Sequence, residues 1–410
     1  MPIGDLWPLL ARADPAQAHH HLWLASGWLP AVATALAAGA VLAWPSVRRP
    51  VREPAGPLDP WDGPLSALQT WTRAAAVGFV VLAAVAGRVG DQSELRNIAS
   101  ALVAAGWPLA VFVSAAGGPI WRWLDPWDGA ARLLGSGDPG PKSGDVRLAV
   151  GVAVAWTWYL SAYPTPLAPR TVGLALAAYG IAMLAGSLVV GRRLWLSRTD
   201  VFGVFLGWLG RLPRGALRAW SPPRGSEALL GVLAGGLLFG LVRRSNLWGE
   251  LNVVPAATAL ATLGLLGSCA LVAVALMAAE RWAAARGAPG AVAAAAVPAV
   301  AAVAVAASVA SSRVFTAVQL LPRLASDPLA LGWDLFGTAD LPIQAPVGPA
   351  RELALQLAVL VVGHAAGAAV AAGRPAEGRL PVAVALAALM AAASASMVAA
   401  AVTVLGVQAP

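Results

Sequence analysis

The chain has 410 residues, of which 59% are hydrophobic and 12% charged, at a mean hydropathy of +0.71, whereas a soluble domain spends about a quarter of its residues on charge. Water is not its main solvent, and the composition excludes an ordinary soluble enzyme or binding module. The formal charge of +8 does not point to nucleic acid, because the basic residues are scattered between apolar runs and form neither a stripe nor an aromatic-interleaved patch.

Taken in chain order, residues 1–21 read as a short outer tail without a basic n-region, so the first apolar run is expected to be a retained helix. Runs of roughly 16 to 26 apolar residues can cross a hydrocarbon core of about 30 Å. They are Leu22 to Trp44, Trp71 to Val89, Ile98 to Ile120, Leu148 to Tyr163, Thr171 to Val190, Ala228 to Val242, Val254 to Ala279, Ala291 to Ala310, Leu353 to Ala372 and Leu380 to Leu405. Lys and Arg collect in alternate connections, as inner loops require. These hold Arg48, Arg49, Arg52 and Arg73, then Arg122, Arg132, Lys142 and Arg147, then Arg192, Arg193, Arg198, Arg211, Arg214, Arg218 and Arg224, then Arg281 and Arg286, then Arg374 and Arg379. The expectation is an all-α integral membrane protein of about ten transmembrane helices. It forms a single polytopic domain over 1–410 in the cytoplasmic membrane, with both termini outside. Residues 192–226 form a basic inner loop and 311–352 a long outer loop, and the partner implied is the lipid bilayer.

Small residues dominate several runs. Gly231, Gly235, Gly236 and Gly240, and then Gly363, Gly367 and Ala371, stand at the spacing that lets helices approach closely in lipid. Packing within the bundle is the expected use. The single cysteine, Cys269, lies in an apolar run and rules out an intrachain disulfide or a cysteine metal site.

Leu58-Asp59-Pro60-Trp61-Asp62-Gly63 recurs as Leu124-Asp125-Pro126-Trp127-Asp128-Gly129. Asp59 and Asp125 can cap a helix whose first residue is proline, and Asp62 and Asp128 place negative charge in its first turn. Trp61 and Trp127 suit a lipid–water boundary. Arg198-Thr199-Asp200-Val201-Phe202-Gly203 starts in a similar way, so three short interfacial or re-entrant helices are expected on the inner side.

Residues able to carry chemistry are few. Histidine occurs only at His19, His20, His21 and His364. The triplet reads as a juxtamembrane tract, whereas His364 lies mid-run, where an ionisable group is a candidate for function. No aspartate sits deep in a predicted span, which argues against a proton- or sodium-coupled carrier and leaves a facilitator or flippase-like groove open. The outer loop collects Asp327, Asp334 and Asp340 beside Trp333 and Phe336. These acids could bind a cation or substrate, or serve as helix caps and turn starts. No metal or cofactor is assignable.

Three stretches carry a family pattern: Leu324-Ala325-Ser326-Asp327-Pro328-Leu329, then Gly332-Trp333-Asp334-Leu335-Phe336-Gly337-Thr338-Ala339-Asp340, then Gly363-His364-Ala365-Ala366-Gly367. With Leu124 to Gly135 and Arg198 to Leu212, they make the chain from about Ile98 onward resemble the fenitrothion hydrolase-like family of bacterial, mostly actinobacterial, multi-pass membrane proteins. The resemblance implies hydrolysis of an organophosphorus ester, with Asp327, Asp334, Asp340 and His364 as catalytic candidates and Trp333 and Phe336 against the substrate. The chain departs from the family in reading Ser311-Ser312-Arg313 where an Ala-His pair is usual, and Phe239-Gly240-Leu241 where Phe-Asp-Gly is usual. Three readings follow: a membrane-embedded hydrolase, a permease or lipid-handling transporter, and a structural or assembly subunit.

Overall fold

A computed structural model describes residues 61, 65–136, 144–243, 248, 257–309, 313–344, 348–374 and 381–389, and no strand occurs among them. The helices are α1 (Ala67–Val89), α2 (Ile98–Gly117), α3 (Trp121–Leu124), α4 (Pro126–Leu133), α5 (Arg147–Ser161), α6 (Pro169–Val190), α7 (Arg192–Thr199), α8 (Val201–Leu209), α9 (Ser226–Val242), α10 (Ala257–Ala284), α11 (Ala291–Val309), α12 (Arg313–Ser326) and α13 (Pro349–Ala372). Residues 381–389 are also helical.

Among the described residues six helices, α1, α2, α6, α10, α11 and α13, are long and apolar enough to cross a membrane, against the ten or so expected. The difference has two sources. Leu22 to Trp44 lies outside the described residues, as does the last run beyond residue 389. The fourth and sixth runs fold as α5 and α9, of 15 and 17 residues, and at 1.5 Å per residue these fall short of a core about 30 Å thick.

The core is built on α11. Its apolar window is 83% buried, against 22% for α1 and for α10, so α11 is the central post and the other two present most of their surface outward. Alanine and valine supply nearly all of α11, and backbones come close where glycine faces them. A side-chain carbon on Gly363 of α13 would strike Ala302 and lie 2.9 Å from the Pro298 carbonyl, both on α11. On α9, Gly235 faces the Cys269 backbone at 2.6 Å and Gly236 faces Thr157 at 2.5 Å. The glycine spacing therefore serves packing within the bundle. Inside α2 a π-helical turn, Leu102–Gly106, precedes Trp107-Pro108. Proline has no N–H for the carbonyl one turn back, and the wider turn absorbs that missing bond.

The long outer loop contains a helix where the sequence predicts only loop. α12 buries Ala317, Leu320 and Leu324 on one face, and its leucines cluster with Ala83, Ala86, Ile98 and Ala101 of α1 and α2. Behind it, residues 327–344 fold back on its last turn. Ser326 Oγ accepts from the N–H groups of Phe336 (3.1 Å) and Thr338 (3.3 Å), and Arg323 donates to the Ala339 carbonyl at 2.6 Å. Ser326 is fully buried, so Ser326→Ala strands two donors at about 1–3 kcal/mol each. The expected result is faster proteolytic nicking within 327–344 with the transmembrane fragments intact, read by limited proteolysis and mass spectrometry.

Candidate functional site

Two of the three outer-loop aspartates, Asp327 and Asp334, are occupied by the loop itself. Asp327 accepts from the Leu331 and Gly332 N–H groups, both at 2.8 Å, and Asp334 accepts from Ala339 N–H at 3.0 Å. That last bond holds the Asp334 carboxyl below the usual carboxylate range. Asp334, Asp340, Trp333 and Phe336 are exposed on the loop surface. His364 is buried within α13, with Nδ1 2.7 Å from the carbonyl oxygen of Leu360, one turn back on its own helix. The structure draws Asp327 and Asp334 into one loop, and no hydrogen bond joins either to His364. Among the described residues no three His, Cys, Asp or Glu side chains converge as metal ligands.

The buried charge lies at the opposite end of the bundle, where α1 and α9 start and α2 and α6 finish. Here Asp125, Asp128 and Asp200 are all fully buried. Asp125 caps α4 by accepting from the N–H groups of Trp127 (2.9 Å) and Asp128 (3.0 Å), and its other oxygen accepts the Trp61 indole N–H at 2.9 Å. Asp200 caps α8 by accepting from Phe202 and Gly203 N–H at 3.2 and 3.1 Å, and it also accepts from Tyr179 OH at 2.7 Å and Trp121 Nε1 at 3.3 Å. Asp128 is the hub: it pairs with Arg73 of α1 and Arg192 of α7, and takes Arg132 Nε at 2.6 Å. Arg73 also donates to the Arg122 carbonyl from Nε (3.0 Å) and Nη2 (2.7 Å). Ionised groups away from water must be paired and hydrogen-bonded in this way.

This geometry corrects two expectations. α4 and α8 are the short helices the repeated motif predicted, but they are buried in protein instead of lying on a lipid boundary. Trp61 and Trp127 are 4% and 8% exposed, because one indole is bound to Asp125 and the other ring packs on Gly180 and Tyr179. The first copy of the motif lies outside the described residues apart from Trp61. The deeply buried aspartates Asp125, Asp128 and Asp200 lie in the connections between spans, outside the predicted apolar runs. Close approach again needs glycine: a side-chain carbon on Gly203 would collide with Asp200 and come within 2.5 Å of the Trp61 ring.

Two recesses flank α8. On one side a cavity of about 460 Å³ is walled by Trp61, Trp208 and Trp220, with Arg211, Ser197 and Ser221 supplying polar groups. On the other a groove of about 400 Å³ is lined only by apolar or small residues, among them Val111, Phe112 and Ala115 of α2, Leu209, Ala301 of α11 and Ala366 of α13. Its rim residues Phe112 and Val362 are 57% and 68% exposed, so the groove opens sideways, toward where lipid would be. At the turn after α8 consecutive residues face the two recesses, Arg211 lining the cavity and Leu212 the groove.

Sequence reasoning finds Asp125 and Asp200 at helix starts and Asp128 as a first-turn charge, and misses their arginine, tryptophan and tyrosine partners. Neighbours drawn from 61, 73, 121, 179 and 192 leave no local spacing to read. The one available signal is Arg73, a charge within an apolar run that demands a partner. Comparison of the chain with protein-family models, with curated proteins and with solved structures finds no match.

Proposed function

We propose that the chain is a lipid-handling membrane protein, which takes an amphiphile with its tail in the apolar groove and its head at the Arg211 and tryptophan cavity. One observation carries this reading: a wholly apolar groove and a tryptophan-walled cavity that holds polar groups stand on either side of α8, and consecutive residues, Arg211 and Leu212, line one each. In a bilayer an apolar groove has no hydrophobic pull on a tail, since lipid chains are equally apolar. An unfilled groove nevertheless forfeits packing, so a chain fills it and the head decides which amphiphile stays. The hydrolase that the family resemblance implies would rest on outer-loop acids and on His364, and of these Asp327, Asp334 and Nδ1 of His364 make hydrogen bonds to local backbone.

Filling the groove tests the proposal. Ala301→Leu with Ala366→Leu should reduce by tenfold or more both the phospholipid that stays bound through purification and the movement of a fluorescent phospholipid between leaflets of proteoliposomes. Wild-type protein that moves no lipid, or a filled groove that changes nothing, would overturn the reading.

A further inference from the structure

We propose that the segment from Leu331 to Ile343 is a membrane-surface anchor, its Leu331, Trp333, Leu335 and Phe336 side chains seated in the headgroup layer of the leaflet at the end of the bundle where α1 finishes and α2 starts. This surface is separate from the groove and does not rest on it. The segment presents six large apolar residues, Leu331, Trp333, Leu335, Phe336, Leu341 and Ile343, each between 41% and 69% exposed. Such a surface marks a contact with lipid or protein instead of water. Its place selects lipid. α12 lays its leucines against Ala83 and Ala86 near the end of α1, and a side-chain carbon on Gly90, the C-cap of α1, would lie 3.4 Å from the Leu329 carbonyl oxygen. The far side of the segment is tied back to α12, where Arg323 donates to the Ala339 carbonyl at 2.6 Å and Gln319 accepts from Gln344 N–H at 2.7 Å. The segment is thus held at the level where α1 ends, and α1 is an apolar span that presents most of its surface outward.

The chemistry of the segment fits the same place. Backbone that leaves water needs partners for its N–H groups. Here Asp327 accepts from Leu331 and Gly332, Ser326 Oγ from Phe336 and Thr338, and Asp334 from Ala339, so five of these donors are satisfied within the loop. Trp333 has the amphipathic ring that a lipid–water boundary favours. Asp334 and Asp340 are exposed on the same segment and set its depth, since the apolar side chains reach the ends of the acyl chains while the carboxylates keep to water. From Leu324 to Ala350 the chain has no Lys or Arg, so apolar area, and not attraction to anionic lipid, drives the seating. A second copy seated face to face would set Asp334 and Asp340 against their own counterparts, like charges with no cation in the segment to offset them.

The test places a nitroxide label on a single cysteine of full-length Cys269→Ala protein in proteoliposomes of neutral phosphatidylcholine. Leu331→Cys and Phe336→Cys each replace an exposed side chain. Oxygen, which concentrates among acyl chains, should collide with labels at 331 and 336 at least threefold more often than a water-soluble nickel chelate does. A label at Leu271→Cys, on the outward face of α10, should behave in the same way, and one at Arg96→Cys, in the connection between α1 and α2, should show the reverse order. Trp333→Asp with Leu335→Asp should carry the label at 336 into water and leave the label at 271 in lipid, with the protein still monodisperse after extraction. Labels at 331 and 336 that meet nickel more often than oxygen, or a label at 336 that stays in lipid beside the two aspartates, overturn the proposal. Line broadening at 336 that disappears on dilution with unlabelled protein would place a second copy on this face and overturn it as well.

Discussion

Asp128→Asn should cost about 3–5 kcal/mol, because it leaves buried arginines without their counter-charge. Asp128 is fully buried and pairs with Arg73 and Arg192, which are 1% and 2% exposed, as well as with Arg132. Arginine does not lose its proton to escape burial, so the positive charge stays and its desolvation goes uncompensated. The measurement is the fraction of monodisperse protein that survives a heating series in detergent, by size-exclusion chromatography. Removing the set together has the opposite logic. Arg73→Met, Asp128→Leu and Arg192→Met combined should recover most of the loss, since apolar residues of similar volume replace a buried ionic group at little cost. If the single variant melts with wild type, the cluster is not what joins α1, α4 and α7. Asp145→Asn is the control: its pair with Arg147 is solvent-exposed, 72% on the arginine side, and its removal should leave the melting curve unchanged.

This contrast between one aspartate and another explains how much the sequence reveals. Alternating apolar runs and basic connections follow from chain-local physics, so the membrane class and most of the described spans are legible without coordinates. The Asp-Pro-Trp-Asp repeat is legible for the same reason, since a cap and its helix are neighbours in sequence; α4 and α8 start at the predicted aspartates. What surrounds those caps is not local. Asp128 reads as a charge favouring its helix N-terminus, and only the fold brings Arg73 and Arg192 to it. Trp61 and Trp127 read as boundary residues because an amphipathic ring has two suitable homes, a lipid–water interface or a buried site with an acceptor or apolar packing, and sequence cannot choose between them. α12 escapes the sequence for a different reason. Its buried face, Ala317, Leu320 and Leu324, has helical spacing, but Pro322 lies within it and the flanking aspartates look like loop. The groove has no sequence signature at all, because α11 is alanine and valine on every side and carries no periodicity to show which face is open.

Gly235→Leu should separate α9 from α10, and the chain carries its own reporter of that event. The alanine-sized carbon alone would already sit 2.6 Å from the Cys269 backbone and 2.7 Å from the Ser268 carbonyl, and neither is the far end of a side chain that can swing away. Overpacking of this kind costs about 1–3 kcal/mol, occasionally more, and leucine, with nowhere to place its branch, lies at the upper end. Association in lipid depends on close packing and interhelical hydrogen bonds without a hydrophobic drive, and pushing the backbones apart also breaks the bond that Ser268 Oγ donates to the Gly235 carbonyl at 2.8 Å. Cys269 is the chain's only cysteine and is 3% exposed. A membrane-permeant maleimide should therefore label wild type slowly and Gly235→Leu at least tenfold faster, with the melting point reduced in parallel. Gly267→Ala sits two residues from Cys269 on the same helix, but nothing lies within 4 Å of the added carbon. Alanine there should leave labelling at the wild-type rate, with stability unchanged or raised by the better helix former. Equal labelling of Gly235→Leu and wild type would mean that α9 and α10 can slide apart without exposing Cys269, and that the glycine face is not what fixes their distance.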